Sequence, residues 1–184
     1  MKIEFKKALF WLGVMITLTA CTSPSLTKEQ CLTGNWEAIG YNDGVAGYYP
    51  DRINVHQEAC AKTGIIPNFT LWEKGRENGL KHYCTIENAT RLGNFGYAFN
   101  RVCPNAQTEN LQNVYNKAYQ KYTIRRQLAQ DKRTLSQHKE KLAKLLKGEM
   151  LDFKTEKEAR EYMLKLQKEI LALEQKIRKA ERTK

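Results

Sequence analysis

The sequence predicts a mainly α-helical chain: a small disulfide-stapled helical module with a loop or small hairpin, followed by a long antiparallel helical hairpin or coiled coil. Three observations carry this. Residues 31–104 hold four cysteines, Cys31, Cys60, Cys84 and Cys103, among helix-length segments punctuated by glycine and proline. Residues 105–184 place apolar side chains at heptad spacing. Between them, at Cys103-Pro104, Gly, Trp, Phe and Cys give way to Lys, Gln, Glu and Leu, a boundary marked by composition.

The first twenty residues read as a targeting segment. Lys2, Lys6 and Lys7 form a basic start, and an apolar run of thirteen residues, "ALFWLGVMITLTA", follows. That run suits a signal peptide and is too short to cross a bilayer. It ends "LTAC", Leu18 to Cys21, the pattern of a bacterial lipobox. The expectation is a mature chain that begins at an acylated Cys21, with residues 21–30 as a tether and the lipid bilayer as its first partner. Several acyl chains hold a protein stably where one is marginal. Thr22, and not Asp, follows the cysteine. This resembles cargo sorted to the outer membrane, so the expected location is its periplasmic face.

In residues 31–104, the even cysteine count in a small exported module reads as a disulfide framework. So few residues bury little apolar surface, and staples matter accordingly. No Cys-x2-Cys pair is present, so a zinc site with His56 or His82 is not expected. Asn35 suits the N-cap of a first helix, Pro50-Asp51 opens a second that Gly64 closes, and a third begins after Pro67 with Thr70 and Glu73 at capping-box spacing. Four cysteines allow three connectivities. If the first two helices run antiparallel, Cys60 returns towards Cys31 and Cys84 ends the third helix at the other end. This favours Cys31–Cys60 with Cys84–Cys103. The rest, with Gly93 and Gly96 among Phe95, Tyr97 and Phe99, reads as the loop or small hairpin.

A repeated stretch raises a question of its own. "WEAIGYNDG" begins at Trp36 and "WEKGRENG" at Trp72. Gly40 and Gly44 lie four apart, as do Gly75 and Gly79, so each pair shares one helix face. Three readings stand: two helices crossing at glycine notches with Trp36 and Trp72 as core anchors, helix-ending turns at Asp43-Gly44 and Asn78-Gly79, or a notch that grips a ligand. Glycine inside a helix costs about 1 kcal/mol against alanine, so four of them need a packing reason.

Catalytic candidates are few. Residues 31–104 contain no serine, which leaves no Ser triad within the module. Glu37, Asp43, Glu73 and Glu77 are the carboxylates that could pair as acid and base on a wall glycan. Trp36, Tyr41, Tyr48, Tyr49, Trp72 and Tyr83 could stack on sugar rings or simply form the core. No Walker loop, zincin helix or dinucleotide fingerprint occurs, so no cofactor, no metal and no catalytic site is expected.

Taken in order, Cys31, Gly34-x-Trp36, Gly40, Asp43-Gly44, Cys60, Gly64, Pro67, Gly75-Arg76, Gly79-Leu80, Tyr83-Cys84, Gly93, Gly96 and Cys103-Pro104 resemble the pattern of a family of small uncharacterised Gram-negative lipoproteins, catalogued as a domain of unknown function. The resemblance covers about 31–104. It implies a lipoprotein module of the cell envelope and no particular activity.

The charge is uneven. Three Lys and one Glu stand in residues 1–20, eight basic and eight acidic residues in 21–104, and twenty basic against eleven acidic in 105–184. Met163, Leu166, Ile170, Leu173 and Ile177 step at heptad spacing behind a capping box at Thr155 to Glu158. Upstream, Leu111, Val114, Ala118, Lys121, Arg125, Leu128, Lys132, Leu135, Lys139 and Leu142 continue the spacing with half the later positions basic. Gly148 to Asp152 breaks the pattern. The spacing predicts a helix over 106–147 and an antiparallel return over 155–182. The expected partners of 105–184 are an envelope protein or a second copy, with anionic lipid or the cell wall as further surfaces. Export excludes nucleic acid. The reading as a whole is a structural or adaptor lipoprotein, and the alternative is a module that binds or processes cell-wall glycan.

Overall fold

A computed structural model describes residues 25–149 and 151–182. The targeting segment, the lipobox and Cys21 lie outside the described residues. Those described form seven α-helices and no strand: α1 (Lys28–Thr33), α2 (Trp36–Ala46), α3 (Arg52–Cys60) with a 3₁₀ turn at Ala61–Thr63, α4 (Phe69–Tyr83), α5 (Ile86–Phe95), α6 (Asn105–Leu146) and α7 (Glu156–Arg182). None is long and apolar enough to cross a membrane.

Local chemistry sets the ends. Thr27 and Gln30 close a capping box on α1, Asn35 accepts from the Ala38 amide at the start of α2, and Thr85 accepts from Asn88 at the start of α5. Asn68, and not Thr70, caps α4: its side chain accepts from the Leu71 amide at 3.0 Å. Thr70 lies one residue inside the helix, which begins right after Pro67-Asn68.

The helices α2 and α4 are parallel, with α3 carrying the chain back between them. The order of close approaches fixes this direction, since Gly40 faces Trp72 and Arg76 while Gly44 faces Arg76 and Gly79. A Cβ at Gly40, Gly44, Gly75 or Gly79 would stand 1.9, 2.0, 2.0 or 2.1 Å from a backbone carbonyl oxygen of the opposite helix. The glycines are therefore interior helix positions at a backbone-to-backbone crossing. They are neither turns nor an open notch, because the other helix fills the space. Small residues four apart permit such an approach, and backbone Cα–H groups then face carbonyls across the contact.

One disulfide staples each end of this pair. Cys31–Cys60 ties α1 to the end of α3, and both cysteines are fully buried with Leu26, Trp36 and Trp72. Cys84–Cys103 ties the end of α4 to the residue before Pro104. From this second staple α5 and α6 run in the same direction, side by side.

Two expectations need correction here. Residues 86–95 are a helix where a loop or hairpin was expected. Thr85 caps it, and Ala89, Leu92 and Gly93 line one buried face. The glycine-rich, aromatic ending that suggests a hairpin is its C-terminal cap and the strand-less return to Cys103. Second, packing does not stop at Pro104. Leu111 and Ala118 of α6 are buried, and a Cβ on Gly93 would meet the Tyr115 carbonyl oxygen at 2.6 Å. Composition changes at Pro104 because a solvent-washed helix begins there, but the first turns of that helix complete the module.

The helix α6 has 42 residues and is about 63 Å long. Beyond the module its partner is α7, which returns antiparallel. Here the buried side of α6 is Leu128, Asp131 and Leu145, with Leu135, His138 and Leu142 half-buried. Lys121, Arg125, Lys132 and Lys139, placed on the seam by the heptad reading, are exposed. Lys132 and Lys139 flank the seam and reach across it to Glu181 and Glu174, both at 2.6 Å. Along α7 the heptad holds: Leu166, Ile170 and Ile177 are buried, and Met163 and Leu173 half-buried.

Candidate functional site

The densest polar cluster is built around Asp43, one residue before the second glycine of α2. Asp43 is 7% exposed, because the glycine crossing brings α4 against this face of α2. Its Oδ2 accepts from Trp72 Nε1 at 2.8 Å and lies 2.6 Å from His56 Nε2. Arg52 Nε stands 3.8 Å from Oδ1. The His56 ring is 1% exposed, and its Nδ1 is 3.0 Å from Ser25 Oγ. The carboxylate thus gathers two ring N–H groups and a guanidinium in a dry site, where each hydrogen bond is strong and each orphaned group is costly.

Serine, histidine and aspartate in hydrogen-bonded order are the ingredients of a nucleophile, a base and its orienting group. Sequence reasoning excluded a serine because none occurs in 31–104; the fold supplies Ser25 from the tether. The geometry, however, is that of a clamp. The Ser25 hydroxyl is held between two groups, the Val55 carbonyl oxygen at 3.2 Å and His56 Nδ1 at 3.0 Å, which ties the segment before α1 to α3.

The other candidate residues are placed as follows. Trp36 and Trp72 are core, 5% and 0% exposed. Glu73 is held by both ends of the Arg76 fork at 2.7 and 2.6 Å, and Arg76 also donates to the Tyr48 carbonyl at 3.1 Å. Glu37 pairs with Lys74 at 3.0 Å on the surface. Tyr48 lies under the Arg52 guanidinium, 4.4 Å from ring centre to Cζ. Tyr41 meets the edge of His82 at 5.8 Å. The Tyr49 and Tyr83 hydroxyls accept from the Arg101 and Asn100 amides at 3.0 and 2.7 Å, pinning the return loop to the far end of the module. Burial pushes the Tyr83 phenol above its ordinary pKa, with the Asn100 hydrogen bond opposing it.

Glu77 lines a cleft. This open groove of about 660 Å³ runs past Arg76, Leu80 and Lys81 to the Cys84–Cys103 disulfide and Asn105. Its lining includes no aromatic ring. The rings form a stack instead, Tyr83 on Phe99, Phe99 on Tyr115 and Tyr115 on Tyr119, with centroids 5.3, 5.6 and 5.5 Å apart. The stack runs from α4 across the return loop to α6. Among the described residues no three His, Cys, Asp or Glu side chains are grouped to hold a metal ion.

On the hairpin the polar groups pair across the helices. Lys176 donates to Asp131 at 3.0 Å, and Gln127 to the same carboxylate at 2.9 Å. Burial would raise the Asp131 pKa, but these two hydrogen bonds outweigh it and hold the carboxyl below its ordinary value. Glu174 is lowered by the hydrogen bond from Lys139.

These features define a doubly stapled, all-helical module continuous with a basic helical hairpin. Residues 35–120 match the family model described as a protein of unknown function, DUF2799. The matched segment crosses Pro104 and ends on α6 just past Tyr119. No curated protein and no solved structure matches the chain.

Proposed function

We propose that this is a lipid-anchored protein of the cell envelope, held at the periplasmic face of the outer membrane through Cys21. Its stapled module is a mount, and its basic hairpin is the part that meets an envelope protein or a second copy. The observation that carries this reading is the shared helix. The first half of α6 is locked into the module by Leu111, Tyr115 and Ala118, and its second half into α7 by Leu128 and Leu145. A rigid connection of this kind serves to present a surface at a fixed distance. Most of the side chains that a glycan enzyme would need are engaged in structure, Glu73 by Arg76, Asp43 by Trp72 and His56, Glu37 by Lys74 and the tryptophans by the core, while Glu77 faces the open groove.

The test is crosslinking and pull-down in cells of the full protein beside a form ending at Arg126. That end point keeps the α5–α6 contact, including the Arg125 hydrogen bond to the Asn94 carbonyl at 2.7 Å. One envelope protein captured only by the full form supports the reading. Equal capture by both forms overturns the role of the hairpin and returns attention to the module and to wall glycan.

A further inference from the structure

Leu26 is 6% exposed and packs with Cys31, Trp36, Cys60 and Trp72. Ser25 is fixed by its hydrogen bonds to Val55 and His56. The tether expected to run over 21–30 is therefore part of the module from Ser25 onward. Only Thr22, Ser23 and Pro24 stand between Ser25 and Cys21. At no more than about 3.5 Å per residue, Cys21 and Ser25 lie within roughly 14 Å of one another.

The chain enters the module at Leu26, within the Cys31, Trp36, Cys60 and Trp72 cluster, and this favours that end as the one nearer the membrane. The starts of α1, α2 and α4 and the Cys31–Cys60 staple share one end. Three large apolar side chains are left in water there, as others are elsewhere on the surface: Leu32 beside Cys31, Ile66 beside the half-buried Ile65, and Phe69 against Trp72 at 6.1 Å. They are 59%, 80% and 53% exposed. Charge here balances, Lys28 and Lys62 against Glu29 and Glu58, so electrostatic attraction to anionic headgroups is not what this end offers. The hairpin leaves from the opposite end, at Cys84–Cys103.

We infer that Leu32, Ile66 and Phe69 form a docking face for the bilayer that holds Cys21, entering the boundary between headgroups and acyl chains. Apolar side chains at that depth add to the anchor in proportion to the area they bury. Docking there also fixes the orientation of the module, with the Cys84–Cys103 staple and the root of the hairpin on the membrane-distal side. This inference rests on the lipid-anchor reading above.

The test uses the full chain with Phe69→Trp, purified from membranes and reconstituted in phosphatidylethanolamine–phosphatidylglycerol vesicles whose upper acyl chains carry bromine. Ile66→Trp is a second probe, and Phe95→Trp at the far end is the control, 63% exposed. The unsubstituted protein gives the background of the buried tryptophans. Docking predicts a blue shift and loss of emission at positions 69 and 66 but not at 95. Quenching at 69 and 66 no greater than at 95, in protein whose N-terminal fragment has the mass of an acylated cysteine and which floats with the vesicles, overturns the docking face alone. An unacylated Cys21 overturns the anchor and the docking face together.

Discussion

Gly44→Ala is the sharpest test of how the module is built. The added Cβ would lie 2.0 Å from the Arg76 carbonyl oxygen and 2.9 Å from the Gly79 Cα, whereas ordinary contact begins at 3.4 Å. The two helices would have to part by roughly 1.4 Å to restore normal van der Waals spacing. Neither obstacle is a side chain that can swing away. Both belong to the backbone of α4, which the staples and the buried tryptophans hold in place. Overpacking in a tight core costs about 1–3 kcal/mol, and backbone obstruction puts this site at the top of that range. Alanine returns about 1 kcal/mol of helix propensity. The expected net loss is about 2 kcal/mol, a fall of roughly 10 °C in Tm for a unit of this size. Gly64→Ala is the contrast, since nothing lies within 4 Å of its Cβ and only the φ of +72° opposes it. That change should cost only about 1 kcal/mol. Thermal unfolding followed by circular dichroism, with disulfides intact, measures both. A Gly44→Ala protein that melts with the unsubstituted one, or above it, refutes the backbone crossing and reopens the ligand notch.

Removing the hub of the polar cluster by Asp43→Ala strands the Trp72 indole N–H and the His56 ring in a dry site. Each orphaned group costs about 1–3 kcal/mol, and urea unfolding read by tryptophan emission should show the loss, while a change under 0.5 kcal/mol would argue against a structural hub. The staples close chain segments with sequence separations of 29 and 19, and each is expected to contribute about 3–4 kcal/mol by limiting the unfolded chain. Reduction should therefore unfold the module well below its oxidised Tm, and an unchanged melting curve after verified reduction would contradict this. Acid should loosen the hairpin. The Asp131 and Glu174 carboxyls have lowered pKa values, so the stability they provide is present above the ordinary carboxylate value and is lost as pH falls through the folded one. Helicity followed from neutral pH to below about 4 should drop, and Asp131→Asn should flatten that profile.

Much of the fold was legible because short-range chemistry decided it. Asn35 caps where an N-cap side chain was expected, α7 keeps its heptad, and the staples join the cysteines that an antiparallel first pair of helices brings together. The failures share a cause: they depend on what packs against an element. Residues 86–95 carry only two buried apolar side chains on one face, too few to outweigh the glycines and aromatics that follow. The seam of α6 cannot be extrapolated from Leu111 to Leu142, because the helix changes partner on the way. It packs on α5 as far as Tyr122 and on α7 from Leu128, and each partner sets its own phase. A lysine at heptad spacing, such as Lys132, reads as a weak core position and is in fact a flanking cation with a glutamate opposite.

The polar cluster was less legible still, for a physical reason. Asp43, His56 and Trp72 are 29 residues apart at most and sit on three helices, with Ser25 on none, so no local spacing joins them. What signals them is indirect. Asp43 precedes a glycine that admits a second helix, and here its carboxylate is buried next to what that helix brings. Here it brings Trp72, the aromatic anchor of the same crossing. The cluster is thus a consequence of the glycine contact, and it extends that contact to the tether through His56 and Ser25. If so, the two are energetically coupled. Gly44→Ala and Asp43→Ala together should cost less than the sum of their separate losses, because parting the helices already breaks the Asp43–Trp72 bond. A double-mutant cycle that gives simple additivity would separate the polar cluster from the crossing.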